Sequence, residues 1–189
     1  MTTPIPVRTM TAEEFAQTTD PENLCSELVR GEVVYMPPAN TVHGYRGALI
    51  NRALGEFCEP KGLGLVTGEG GYILTRGPDT VRAPDAAFLA TDRIPPDGFP
   101  ERGYIEGAPN LAVEVISPDD RDSEIALKVT LWLDAGAERV WEVRPRTRTV
   151  TVHSRGSLPL TLGVNETLVS AHAAFPVDGF SLPIASIFA

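Results

Sequence analysis

Residues 111–116 read Leu111-Ala112-Val113-Glu114-Val115-Ile116, a run that is apolar on both alternating faces apart from one carboxylate. A strand of that kind belongs in the middle of a sheet covered on both sides. Downstream, residues from about Asp122 to Ala135 carry a helical period that stops at Gly136, and Arg139 to Val143 returns as a strand. Upstream, Ala86-Ala87-Phe88-Leu89 is a second extended apolar run, reached through Pro84-Asp85. Strands interleaved with helices predict a mixed α/β single domain.

Flanking segments extend the pattern. Thr11 to Glu14 spells T-x-x-E, a capping box that predicts a short helix through Ala16 and Gln17. Ser26 to Met36 reads as two strands around Arg30-Gly31, ended by Pro37-Pro38. Between His43 and Glu59, the spacing of Ala48, Leu49, Ala53, Leu54 and Phe57 predicts a helix. The Gly-rich stretch Gly62 to Gly71 leads into a strand at Tyr72-Ile73-Leu74, and Gly68-Glu69-Gly70-Gly71 has neither phosphate-loop nor dinucleotide-fold spacing, so it reads as a turn. Thr91 to Pro109 reads as one long Pro- and Gly-rich loop, and Arg148 to Ser154 and Leu158 to Leu162 continue the β pattern. Residues 1–9 are expected to form an N-terminal tail and residues 10–189 one domain.

Composition limits the function classes. The 189 residues are 42% apolar and 22% charged, an ordinary globular mixture rather than a disordered acidic chain. No apolar run approaches the roughly 18 residues needed to span a bilayer, and the first ten residues lack a basic start followed by an apolar stretch. A soluble cytoplasmic protein with no membrane partner is expected. Cys25 and Cys58 suggest neither a disulfide framework nor a zinc site. The net charge of −9 disfavours broad nonspecific nucleic-acid binding but leaves room for a small acidic metal site. Only two of the sixteen basic residues are lysines, Lys61 and Lys128.

Lys128 stands out by position. Giving each helical residue about 100° from Ile125 puts Val129 near 40°, Leu133 near 80°, Trp132 near 340° and Lys128 near 300°, inside the apolar arc. A lysine rarely faces a core unpaired, and an unpaired buried Glu114 costs several kcal/mol. Glu114 is the nearest candidate partner for Lys128, because its strand leads straight into this helix. A buried salt bridge without chemistry explains that pair equally well. Asp85 shifts the balance, because two carboxylates about 4 Å apart repel by about 4 kcal/mol at an effective dielectric near 20. A divalent cation relieves that repulsion, and oxygen ligands suit Mg²⁺ or Mn²⁺. Two acids, a metal and a lysine are the parts needed to hydrolyse a phosphodiester.

Weaker signals have two readings each. His43 is either a plain helix-start residue or a group near the site, whereas His153 and His172 lack partners at metal spacing and read as structural. Arg139, Arg144, Arg146, Arg148 and Arg155 form either a phosphate-contacting patch or a solvated hairpin.

The ordered series Pro84-Asp85, Pro109-Asn110 through Ser117-Pro118, Lys128-x3-Trp132-x3-Gly136 and Val140-Trp141-Glu142-Val143-x-Pro145 resembles the Uma-type family of restriction endonucleases. The block Glu27-Leu28-Val29-Arg30-Gly31-Glu32, with Met36-Pro37-Pro38 and His43 after it, is similar to the same family, which belongs to the PD-(D/E)XK nuclease superfamily. The resemblance spans about residues 10 to 188. It implies a restriction-endonuclease-like fold with a central mixed β-sheet flanked by helices, DNA as substrate, and Asp85 and Glu114 as ligands of Mg²⁺ or Mn²⁺. The superfamily's lysine usually stands two residues after the second acid. Ile116 holds that position here, so the role passes to Lys128, in agreement with the helical wheel. Glu27 matches an acid of the family, as an additional ligand or hydrogen-bond partner. Trp132 replaces the family's usual tyrosine, keeping bulk and removing a hydroxyl, and Arg144 replaces an acid.

The leading expectation is a Mg²⁺-dependent endodeoxyribonuclease with Asp85, Glu114 and Lys128 as catalytic residues. The alternatives are a catalytically silent binding or assembly protein of the same fold, and a metal-free hydrolase using two carboxylates as acid and base. Cutting both strands of a duplex would favour a symmetric homodimer.

Overall fold

The computed structural model describes residues 9–22 and 24–189. The expected N-terminal tail thus lies almost wholly outside the described residues. In chain order the elements are α1 (Ala12–Phe15), β1 (Cys25–Val29), β2 (Glu32–Met36), α2 (Thr41–Cys58), β3 (Gly64–Thr67), β4 (Tyr72–Thr75), β5 (Thr80–Arg82), β6 (Ala86–Ala90), β7 (Ile105–Glu106) and β8 (Leu111–Val115). There follow α3 (Asp122–Asp134), β9 (Arg139–Arg144), β10 (Thr149–His153), β11 (Leu160–Leu162), β12 (Thr167–Val169), β13 (Ser181–Pro183) and α4 (Ile184–Ile187). No helix among the described residues is long and apolar enough to cross a membrane.

The mixed α/β architecture is as expected, with two substantial sheets rather than one. Six strands run in the order β11-β10-β9-β8-β6-β3, five in the order β2-β1-β5-β4-β7, and β12 pairs with β13. Strand β8, the apolar run that carries Glu114, is interior: it pairs antiparallel with β6 and parallel with β9. A parallel pair needs a crossover, and α3 supplies it.

Alternation along β8 divides the core. Leu111, Val113 and Val115 enter one cluster with Ile50 and Leu54 of α2, and Ala112 enters another with Val129 and Trp132 of α3. Glu114 shares the face of Ala112 because strand side chains repeat every two residues. Asn40 caps α2 by accepting from the His43 amide at 3.0 Å. The predicted capping box at Thr11 and Glu14 is present on α1.

Three segments differ from expectation. The Gly-rich stretch contains β3, because Gly64 lets the chain press against β6: a Cβ there would lie 2.1 Å from the Leu89 carbonyl oxygen. β5 carries only one apolar residue, Val81, which pairs with Leu28 and Ile73, so no sequence period marks it. Residues 91–109 are not one unstructured loop. They hold a 3-10 turn at Thr91–Arg93 and β7, which adds in parallel to β4.

Candidate active site

Asp85 precedes β6 at the point where Pro84 cannot donate to a ladder. Its own amide donates to the Val113 carbonyl at 2.9 Å, which pins it beside β8. Its Oδ2 accepts the Val115 N–H at 2.6 Å, and its Oδ1 lies 2.7 Å from His43 Nε2. The other ring nitrogen of His43 lies 3.4 Å from Ser117 Oγ, and Asn51 donates to the Asp85 carbonyl at 3.2 Å. The hydrogen bond to Asp85 raises the His43 pKa, against burial and with help from the charges of Asp85, Asp120 and Glu114. His43 therefore does more than start a helix. An open cavity of about 280 Å³ flanks these groups, lined by His43, Gly44, Gly47, Asn51, Glu69 and Asp85.

Glu114 is buried with 6% of its surface exposed. Its Oε1 accepts from Trp132 Nε1 at 2.7 Å and its Oε2 from Lys128 Nζ at 3.4 Å. Positions 128 and 132 are four apart on α3, so they present to the same point. Burial pushes the Glu114 carboxyl above its ordinary pKa; Lys128 and Trp132 oppose that push, while Asp85 and Glu27 add to it. Burial alone would lower the Lys128 pKa, but the fields of Glu114 and Glu27 outweigh it and the ammonium sits above its ordinary value. Lys128 faces Glu114 as the helical wheel predicts. Trp132 lacks the hydroxyl of the family's usual tyrosine, and its indole N–H supplies a donor to Glu114 instead.

Glu27 on β1 is buried against Arg82 of β5, whose Nη1 donates to Glu27 Oε2. The Ala83 amide donates to Oε1 at 3.4 Å, while Arg82 Nε is buried without a hydrogen-bond partner among the described residues. Of the two roles expected for Glu27, these contacts are those of a hydrogen-bond partner. Its charge still acts on both Glu114 and Lys128.

The arginine group divides. Arg139 donates to the Ala171 carbonyl at 2.9 Å, Arg155 to that of Leu133 at 3.1 Å, and Arg144 pairs with Asp122 at 2.9 Å and with Glu142. Arg146 and Arg148 are exposed and have no carboxylate partner among the described residues. His153 bonds Glu142 at 2.9 Å, and His172 Nδ1 accepts the Val169 amide at 3.1 Å, both structural as expected.

Sequence reading missed Arg82, Asn51 and Ser117. Arg82 left one signal, a charge within a short run that leads directly into Pro84-Asp85. Asn51 left none, since a polar residue on a helix is unremarkable, and Ser117 stood only as part of the family-like run ending at Pro118, with no role attached to it.

Among the described residues, no three or more His, Cys, Asp or Glu side chains gather to hold a metal ion. Asp85 and Glu114 fit the chemistry of a hard cation nonetheless. A carboxylate has about four lone-pair sites, and the named contacts leave some free on each. Mg²⁺ is usually bound through one or two carboxylates, with waters and substrate phosphates completing the shell.

Two acids at the edges of neighbouring strands, beneath a helix that brings an ammonium to one of them, are carried here on a fold shared with a nuclease-type protein. The crystal structure of a putative nuclease from Anabaena variabilis matches with a TM-score of 0.76 at 20% identity, covering 95% of this chain and 97% of that one. The chain belongs to the Uma2 family, described as "Putative restriction endonuclease", which matches residues 12–185. No curated protein matches it significantly.

Proposed function

We propose that the chain is a divalent-metal-dependent endonuclease that hydrolyses DNA phosphodiesters. The observation that carries this reading is the meeting of Glu114 with Lys128 Nζ at 3.4 Å on a strand whose Val115 amide also holds Asp85 at 2.6 Å. Membership of the Uma2 family supports it.

Asp85 and Glu114 would hold Mg²⁺ or Mn²⁺, which supplies a water of lowered pKa and polarises the phosphoryl oxygen. Val115 and Trp132 fix one oxygen of each carboxylate, so the unshared lone pairs keep their direction. The Lys128 ammonium, a compact charge with three donors, stabilises negative charge developing on phosphate oxygens. His43 holds the second oxygen of Asp85 and connects it to Ser117.

A second reading is a silent protein of the same fold that binds or assembles. One observation favours it: all four oxygens of Asp85 and Glu114 have protein partners. Calorimetric titration with Mg²⁺ and Mn²⁺ separates the two. Saturable binding that Asp85→Asn weakens supports the endonuclease, and no heat of binding to the wild type supports the silent protein.

A further inference from the structure

The carboxyl ends of β8 and β9 open onto a second cleft of about 180 Å³, whose lining includes Ser117, Asp120, Asp122, Arg144 and Arg146. It adjoins the candidate active site through Ser117, whose hydroxyl lies 3.4 Å from His43 Nδ1. Two acids line it, and both are engaged. Asp120 accepts the Ser117 amide at 2.8 Å, and Asp122 pairs with Arg144 at 2.9 Å. Arg144 is further committed to Glu142. Arg146 is the cation of the lining that remains without a carboxylate among the described residues. Arg148 is also exposed on the same turn and has no carboxylate partner among the described residues, but it does not line the cleft.

We infer that Arg146 contacts a backbone phosphate of a nucleic-acid strand that crosses this cleft next to the scissile phosphate at the metal centre proposed on Asp85 and Glu114. The inference rests on the endonuclease reading above. Only the contact between Ser117 and His43 separates the two clefts, so a polyanion with regularly spaced charges can lie across both. An arginine on a phosphate positions the strand and carries no sequence information. It also offsets locally a chain total of −9 that would repel phosphates at long range.

The test is binding of a fluorescently labelled DNA duplex by the full chain in Ca²⁺, followed by anisotropy over a series of salt concentrations. Arg146→Gln weakens binding alike for duplexes of different sequence and lowers the salt slope by about one. Arg148→Gln changes the slope less. Plasmid cleavage by Arg146→Gln shows a raised KM with kcat near that of wild type. Wild-type slope and affinity in Arg146→Gln overturn the inference alone, as do equal losses in both variants, which show only a loss of net charge. If the wild type neither binds the duplex nor cleaves DNA in Mg²⁺, the endonuclease reading fails and takes the inference with it.

Discussion

Trp132 holds Glu114: its indole N–H donates to Oε1 at 2.7 Å, one helical turn beyond the Lys128 that faces Oε2 at 3.4 Å. A single helix therefore orients the buried carboxylate from both oxygens. Trp132→Phe keeps a large ring and removes the donor, leaving a buried carboxylate oxygen unsatisfied at a cost of about 1–3 kcal/mol. Chemical denaturation should show that loss, and metal affinity should fall with it. An unchanged midpoint and unchanged metal binding would mean the bond is idle.

Lys128 is expected to act on charge in the transition state as well as on the stability of the buried Glu114 it faces. Lys128→Met should lower kcat by about 10² to 10³, with Mg²⁺ binding retained. Lys128→Arg should restore little, because a planar fork cannot occupy the position of a point charge. Steady-state kinetics beside metal titration checks this, and full activity in Lys128→Met would reduce the pair to a structural salt bridge.

Glu27 and Arg82 form a buried ion pair with side-chain exposures of 5% and 10%. Breaking a buried pair from one side typically costs about 3–5 kcal/mol, because the remaining charge is left uncompensated. Glu27→Ala should therefore destabilise the fold by that order, whereas Glu27→Leu combined with Arg82→Met should cost much less. Urea denaturation of the three variants gives the comparison. Equal losses in the single and double variants would contradict it.

Much of this was legible in advance. The run 111–116, apolar on both faces apart from Glu114, gives an interior strand, and the apolar arc of α3 gives the direction of Lys128, because both follow from periods a backbone imposes. The β5 strand had no such period: Thr80 and Arg82 are buried by pairing rather than by apolarity. β3 was hidden because a glycine required for close approach looks the same in sequence as one required for a turn. Arg82 against Glu27 joins residues 55 apart through two paired strands, a contact that no local spacing encodes.

Glu142, the register partner of Glu114 on β9, sets a pH dependence of its own. Its hydrogen bond from His153 holds its carboxyl below the ordinary value of 4.5, against burial and with help from Arg144. A depressed carboxylate contributes stability that is complete above the unfolded-state pKa and is lost as pH falls through the folded one. Glu142→Gln should therefore be less stable than wild type at neutral pH, with the gap closing in acid. Denaturation midpoints measured across pH check the sign; a gap that widens in acid would reverse it.

The most direct measurement is cleavage of supercoiled plasmid DNA in Mg²⁺ by the wild type, Asp85→Asn and Glu114→Ala, with circular dichroism confirming that each remains folded. The wild type should nick or linearise the plasmid and be stopped by chelator, and neither variant should cut. Chelator-resistant cleavage, or equal cleavage by all three proteins, would contradict a metal centre built on Asp85 and Glu114.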